Sequence, residues 1–225
     1  DVVILVSCSY GYLSVFSDYF IKKLRRKNLN PIHLHVVADD VELARRYLVA
    51  LVKKYRNINY SIEALAGRTQ TYITIARYLI CQEIMDIYKS DVLITDIDLS
   101  LNFDLSLLAR NLEAKECDFG LCDSGCKLPW SKFAAGFSYF RYSNRAASTY
   151  LSLLSKYLIS LYASGGFFSM DQTGALQVFE YMKAKDLGFK MMNLKTIVDF
   201  KRLITVPNRL NRRKIECKWG DGGPQ

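Results

Sequence analysis

Ser90-Asp-Val-Leu-Ile-Thr-Asp-Ile-Asp-Leu-Ser-Leu101 is the stretch of sequence from which the fold can be worked out. Its apolar, partly β-branched run over residues 92–94 predicts a buried strand. Asp96 and Asp98 follow this run directly, and apolar Ile97 separates them. In an extended segment, residues two apart point to the same side, so we expect both carboxylates to project together while Ile97 faces the core.

Paired carboxylates such as Asp96 and Asp98 repel each other unless a positive group lies between them. Mn²⁺ or Mg²⁺ is the natural occupant, because hard divalent cations prefer oxygen ligands and bridge to phosphates. Ligands of α/β sheets also gather at the carboxyl ends of strands. An isolated Asp-x-Asp triplet is equally typical of solvated turns and helix caps, so the triplet alone leaves both interpretations open.

Hydrophobic periodicity predicts an α/β chain. In the first half we expect strands over residues 2–6, 32–37, 60–65 and 92–95, alternating with helices over 17–27, 41–55 and 71–88. This alternation predicts a mostly parallel central sheet with helices on both faces. In the second half, a smaller mixed arrangement, we expect strands over 119–122, 136–142 and 189–194, and helices over 146–162 and 171–182.

Composition and charge narrow the possible classes of protein. Half of the 225 residues are hydrophobic and 13% are aromatic, which supports a real core and argues against disorder. The net charge of +9 favours anionic partners such as nucleotides, phosphorylated sugars, nucleic acid or an anionic membrane surface. Two cationic clusters stand out, over residues 22–27 and 209–214. We interpret the first as the solvated end of a helix and place the second in a loop.

Cysteine spacing and the lack of long apolar runs bear on the compartment. Cys117, Cys122 and Cys126 lack the usual spacing of zinc knuckles, so we expect free thiols in a reducing compartment. No stretch approaches the roughly 20 apolar residues of a membrane span, and no signal peptide is visible. We therefore expect a cytoplasmic location, with peripheral membrane contact left open. Because the chain opens on a core strand, we expect it to be one domain of a larger protein.

Three further features carry two interpretations each. Asp171-Gln172 opens a predicted helix, either as its N-terminal cap or as a pair facing a cleft. Ala135-Gly136 precedes a predicted strand, where small residues permit either close approach of a ligand or tight packing. Arg77 lies in an otherwise apolar helix, either on its solvent face or aimed at an anion. The glycine-rich fingerprints of dinucleotide-binding and P-loop proteins are absent from the sequence.

Taken together and in this order, these features resemble the nucleotide-sugar-dependent glycosyltransferases of the GT-A fold, over roughly residues 2–195. The positions that carry the resemblance are Ser7, Cys8 and Tyr10 after the first strand, Arg77, the Asp96-Ile97-Asp98 motif, Ala135-Gly136 and Asp171-Gln172. The resemblance implies one domain over residues 1–200, with a nucleotide-binding half over 1–100 and an acceptor-side half over 101–200. Residues 201–225 would form a basic C-terminal segment or lid.

The resemblance also implies roles for these residues on the donor side. Asp96 and Asp98, flanking Ile97 in the donor-binding motif, would hold Mn²⁺ or Mg²⁺ on the diphosphate of a nucleotide-sugar donor. The expected contacts of the base and ribose are Ser7, Cys8 and Tyr10. Arg77 would contact the donor sugar or its phosphates, and Ala135 and Gly136 would border the sugar and the acceptor. No histidine follows His35 to supply a further metal ligand. Either water, Asn208 or Asn211 would take its place, or metal binding would be weaker and the basic segment that contains Arg209 and Arg212 would clamp the diphosphate instead.

Asp171 and Gln172 would lie beside the anomeric carbon, as in the retaining members of the family. Glutamine is a poor general base, so a front-face mechanism fits better; if the enzyme inverts, Asp171 is the natural base. A glycan, lipid-linked or protein acceptor is expected, and no nucleic acid. Two alternatives stay open: a nucleotidyltransferase, which usually has a basic glycine-rich loop that residues 7–12 lack, and a non-catalytic module that binds an anionic partner.

Overall fold

The computed structural model describes residues 2–65, 69–99, 101, 103–166 and 169–197. The strands are β1 Val2–Ser9, β2 Ile32–Ala38, β3 Ile58–Ala64, β4 Asp91–Thr95, β5 Phe119–Asp123, β6 Phe133–Phe140 and β7 Met191–Asn193. The helices are α1 Tyr10–Leu24, α2 Val41–Lys54, α3 Thr69–Leu79, α4 Cys81–Tyr88, α5 Leu105–Ala114, α6 Pro129–Lys132, α7 Arg145–Ala163 and α8 Met170–Ala184. A short 3₁₀ turn, Leu194–Thr196, follows β7.

All seven strands form one sheet in the order β3-β2-β1-β4-β6-β5-β7. In the first half of the chain every pairing is parallel: β1 pairs with both β2 and β4, and β2 pairs with β3. The second half is mixed, because β6 runs antiparallel to both β4 and β5, whereas β7 is parallel to β5. The predicted mostly parallel sheet with a mixed second half is confirmed.

The order of the strands reverses next to β1. From β1 the chain moves outward to β2 and β3 and then returns to β4 on the other side of β1. The connections after β1 and β4 therefore diverge, and the carboxyl ends of these two strands border the switch point where α/β sheets bind ligands.

Buried side chains form a core on each face of the sheet, as the alternation of residues along β1 shows. Val2, Ile4 and Val6 pack into a cluster with residues of α1, α2 and α5. Val3 and Leu5 point to the opposite face and pack with residues of α3, α4, α7 and α8. The predicted helices on both faces are confirmed.

Two predicted boundaries in the first half are wrong. The first strand does not end at residue 6, because β1 continues to Ser9, and the first helix begins at Tyr10 rather than at residue 17. The Ser9 hydroxyl caps this helix by accepting a hydrogen bond from the Tyr12 amide at 3.3 Å. The single helix predicted over 71–88 is interrupted at Ile80, although the Ile80 amide still donates to the Ala76 carbonyl at 3.1 Å.

In the second half, sequence patterns missed two helices and shifted two strands. α5 is capped by Asp104, whose side chain accepts from the Ser106 amide at 2.8 Å, and α6 opens on Pro129. β6 begins at Phe133 rather than at residue 136, so Ala135 as well as Gly136 lies inside the strand. The strand predicted over 189–194 shrinks to the three residues of β7.

Within the described residues, no helix has both the length and the apolar character needed to cross a membrane. The five described cysteines, Cys8, Cys81, Cys117, Cys122 and Cys126, are free thiols, as expected.

Candidate active site

The Asp96-Ile97-Asp98 motif begins where β4 ends, at Thr95. The Asp96 amide donates to the Gly136 carbonyl at 3.1 Å, and the Leu99 amide donates back to the Asp96 carbonyl at 3.2 Å. The three residues thus form a turn, and the predicted extended alternation is wrong at this point. Ile97 does face the core, as predicted, with 2% of its surface exposed. Asp98 is buried, whereas the Asp96 side chain is 38% exposed.

Arg77 on α3 is aimed at the motif from the neighbouring helix. Its guanidinium is buried, and Nη1 donates to Oδ1 of Asp96 in an ion pair. The solvent-face interpretation of Arg77 is therefore wrong. Nε of Arg77 has no hydrogen-bond partner among the described residues, so this buried cation retains an unused donor.

Gly136 on β6 is explained by the Asp96 carboxylate, which lies directly against its backbone. A Cβ atom added at position 136 would lie 1.9 Å from Oδ2 and 2.5 Å from Cγ of Asp96. Non-bonded atoms do not approach this closely, so only glycine leaves room for the carboxylate. The neighbouring Ala135 is buried.

Asp171 reaches the same region from α8. The helix begins one residue earlier than predicted, at Met170, and its cap position is Ser169, which has a left-handed backbone with φ of 62°. Asp171 therefore lies in the first turn rather than at the cap. Its Oδ1 accepts from the Gln172 amide at 2.9 Å, and the side chain is buried, while Gln172 is half-buried.

Electrostatic coupling joins Arg77, Asp96 and Asp171. Burial raises the pKa of Asp171 to about 6, against the opposing effect of Arg77, and the Asp96 charge raises it further. Burial alone would lower the pKa of Arg77, but Asp96 and Asp171 outweigh it and hold this pKa above its ordinary value. We refer to these three residues as the charged cluster.

Tyr78 is a residue of the site that sequence reasoning missed. It is 1% exposed; its hydroxyl donates to the Ala135 carbonyl at 2.9 Å and lies 3.1 Å from the Ser138 hydroxyl. Tyr78 thereby ties α3 to the part of β6 that contacts Asp96. Its position beside Arg77 was the available signal, but a tyrosine on a buried helix face is indistinguishable in sequence from ordinary core.

The predicted nucleotide-pocket residues lie at the carboxyl end of β1 and the start of α1. Ser7 is buried, and its hydroxyl donates to the Ile73 carbonyl of α3 at 3.4 Å. Cys8 is buried as well, which raises the pKa of its thiol to about 12. Tyr10 is half-buried, with its ring edge-on to Tyr47 at a centroid separation of 5.9 Å.

The basic segment that is expected to clamp the diphosphate is not among the residues that the structure describes. Arg209, Arg212 and the whole basic segment 201–225 lie outside the described residues. Within the described ranges, no group of three or more histidine, cysteine, aspartate or glutamate side chains is arranged to hold a metal ion.

No protein-family model matches the sequence, and no curated protein matches it. Several solved structures do match it in fold. The chain superposes on the glycosyltransferase GlyE of Streptococcus pneumoniae TIGR4 with a TM-score of 0.54 over 87% of its length, at 17% identity. It has the GT-A fold. It spans 45% of the GlyE chain, somewhat less than half.

The galactosyltransferase LgtC, solved with donor and acceptor sugar analogues, matches 78% of this chain and 70% of its own, with a TM-score of 0.50 and 17% identity. At such identities the likeness establishes the fold, which confirms the architecture expected from the sequence resemblance. The activity has to be argued from the site.

Proposed function

We propose that this chain is a metal-dependent glycosyltransferase that moves a sugar from a nucleotide-diphosphate sugar, most simply a UDP-sugar, to a glycan, lipid-linked or protein acceptor. The observation that supports this most directly is the charged cluster of Arg77, Asp96 and Asp171. Its members come from α3, the turn after β4 and α8, and it forms where β4 ends, at the switch point of the sheet. Two of them, Arg77 and Asp171, are buried and have raised pKa values, and such groups in this position are typical of functional sites.

The charge balance of the site supports the metal. Asp96 and Asp171 both interact electrostatically with Arg77, and Asp98 is the second carboxylate of the motif. A diphosphate that approaches these carboxylates is repelled by them unless a divalent cation accompanies it. In chemical type, Asp96 and Asp98 fit Mn²⁺ or Mg²⁺, and both would hold the ion, with Asp98 the more direct ligand. When bound, the ion supplies Lewis-acid stabilisation of the departing diphosphate.

Arg77 would help to bind the donor from α3, the helix next to the motif. Its ion pair fixes the orientation of Asp96, and its buried positive charge would act on the donor phosphate across the motif. A buried guanidinium that is already oriented loses little freedom when it binds a phosphate, which makes it an effective electrostatic partner. Ala135 and Gly136 would border the sugar because their backbone lies against Asp96.

We further propose that transfer proceeds with retention, with Asp171 and Gln172 beside the anomeric carbon. The bond from that carbon to the phosphate oxygen breaks, the bond to the acceptor oxygen forms on the same face, and the acceptor proton passes to the departing phosphate. Gln172 then orients the reacting groups rather than taking the proton. With a pKa of about 6, Asp171 is largely ionised at neutral pH and offsets positive charge that develops on the sugar ring.

The deciding experiment is donor hydrolysis by the purified chain. A panel of nucleotide sugars is incubated with Mn²⁺, with and without EDTA, and the released nucleoside diphosphate is measured. Metal-dependent release from one donor is expected. Release of pyrophosphate from a nucleoside triphosphate and a sugar phosphate would instead indicate a nucleotidyltransferase. Absence of release, together with no thermal shift from UDP and Mn²⁺, would reject the proposal in favour of a binding module.

A further inference from the structure

The end of the sheet opposite the candidate active site carries most of the chain's excess positive charge at one corner. Here α1 and α2 end and β2 and β3 begin. Residues 18–30 and 51–58 contain eight cations and one carboxylate, that of Asp18, in a chain whose net charge is +9. We call this surface the basic corner; its cations are Lys22, Lys23, Arg25, Arg26, Lys27, Lys53, Lys54 and Arg56.

Hydrogen bonds and ion pairs join the two segments of the basic corner into one surface. The guanidinium of Arg25 donates to the carbonyls of Asn30 and Arg56 at 2.9 Å and to that of Asn57 at 3.2 Å, which fastens the end of α1 to the start of β3. Asp18 bonds cations of both helices, with Lys22 Nζ at 2.6 Å. The two segments border an open groove of about 420 Å³ lined by Arg25, Leu29, Lys54, Tyr55, Arg56 and Asn57.

Local structure accounts for only part of this charge. Lysines lie in the last turns of α1 and α2, where cations offset a helix dipole equivalent to about half a charge at each end. Arg26, Lys27 and Arg56 are exposed beyond these turns. At the far corner of the same end of the sheet, residues 113–118 and 183–190 contain four lysines and four carboxylates, so a balanced surface also suits this fold.

The exposure of Leu29 indicates which kind of anionic partner binds to the basic corner. Its side chain is 76% exposed, the highest value among the large hydrophobic residues described, and it lies among the cations. Aliphatic stems of lysine and arginine around an exposed leucine suit the boundary between lipid headgroups and acyl chains. Binding of nucleic acid favours exposed rings for stacking, whereas both tyrosines of this corner, Tyr19 and Tyr55, are half-buried, with a lysine ammonium over each ring.

We propose that the basic corner docks this chain on an anionic lipid bilayer. β1, with eight residues, separates the two ends of the sheet by about 26 Å, so a docked chain holds its candidate active site away from the headgroups. That orientation favours an acceptor that extends from the membrane or approaches from solution. The docking surface shares no residue with the charged cluster, and its test does not depend on the proposed activity.

The test is cosedimentation of the full chain with phosphatidylcholine vesicles, with and without phosphatidylserine. The wild-type chain should bind only the anionic vesicles, with an affinity that falls as salt rises. The variant R26Q/K27Q/K53Q/R56Q should bind several hundredfold more weakly, at about fivefold per cation removed. Leu29→Ser should cause a smaller loss that persists in high salt.

The matched control is K115Q/K183Q/K185Q/K190Q, which removes the same charge from the balanced far corner. An equal loss of binding in both variants would show that net charge alone determines vesicle binding, and it would overturn the proposal. So would failure of the wild-type chain to bind anionic vesicles, or tighter binding to an RNA oligonucleotide than to vesicles of equal phosphate concentration. Circular dichroism and donor hydrolysis should be unchanged in both variants, which separates docking from folding and activity.

Discussion

Replacing Gly136 with alanine tests whether the Asp96 carboxylate must stay where the structure has it. The new Cβ would lie 1.9 Å from Oδ2, so the carboxylate has to move by about 1.5 Å to reach van der Waals contact. This shift disrupts the ion pair with Arg77. A misplacement of about 1 Å costs roughly 100-fold in rate, so kcat/KM for the donor should fall by about 100-fold or more.

The same substitution should also cost about 3–5 kcal/mol of unfolding free energy, because it leaves the buried Arg77 guanidinium without its ion-pair partner. The control is Gly120→Ala, whose Cβ would lie 2.3 Å from Cδ2 of Leu194, away from the charged cluster. Donor hydrolysis and urea unfolding are measured for both variants. Gly120→Ala should lose stability and keep its kcat/KM. Wild-type kcat/KM in Gly136→Ala, or equal losses in both variants, would refute the reasoning.

Three further predictions concern the neighbouring residues. Asp98→Asn should lower metal-dependent donor turnover by about 100-fold or more with little change in Tm. Wild-type turnover that EDTA still abolishes in this variant would contradict the assignment of Asp98 as a metal ligand. Burial raises the pKa of Asp171 to about 6, so the folded chain holds a proton that the unfolded chain releases near pH 4. The resulting stability is present at low pH and lost as pH rises through 6. In urea unfolding, the free energy of unfolding of the wild type should therefore fall by about 2 kcal/mol between about pH 4.5 and about pH 7.5, and this fall should be absent from Asp171→Asn. Equal pH slopes in the two proteins would be inconsistent with a raised pKa of Asp171. Tyr78→Phe leaves the Ala135 carbonyl without its donor and should cost about 1–3 kcal/mol in urea unfolding, so an unchanged midpoint would count against its role.

The sheet was predictable from sequence because its parallel strands are buried on both faces. Such strands appear as short, continuous apolar runs, and residues 92–94 are one of them. The start of α1 was not predictable in this way. Tyr10, Gly11 and Tyr12 are weak helix formers, and the Ser9 cap together with packing of the helix overrides their preference.

The candidate site was predictable in its residues but not in their contacts. Order along the chain singled out Arg77, Asp96, Gly136 and Asp171, yet nothing in their spacing shows that Arg77 pairs with Asp96 or that Gly136 makes room for it. These contacts join different helices and strands, so they depend on the tertiary arrangement. The turn at residues 96–98 was missed for the same reason, since Gly136 on β6 anchors it.

The central place of β1 has a consequence for biosynthesis. Seven of its eight residues are buried, and its partner on one side, β4, ends at Thr95. A nascent chain that has not yet delivered β4 from the ribosome therefore exposes one edge of a strongly apolar strand. Unpaired edges of this kind favour aggregation, and pairing over such a sequence separation is slow. We expect the yield of folded protein to depend on translation speed and on chaperones that cover this edge until β4 arrives.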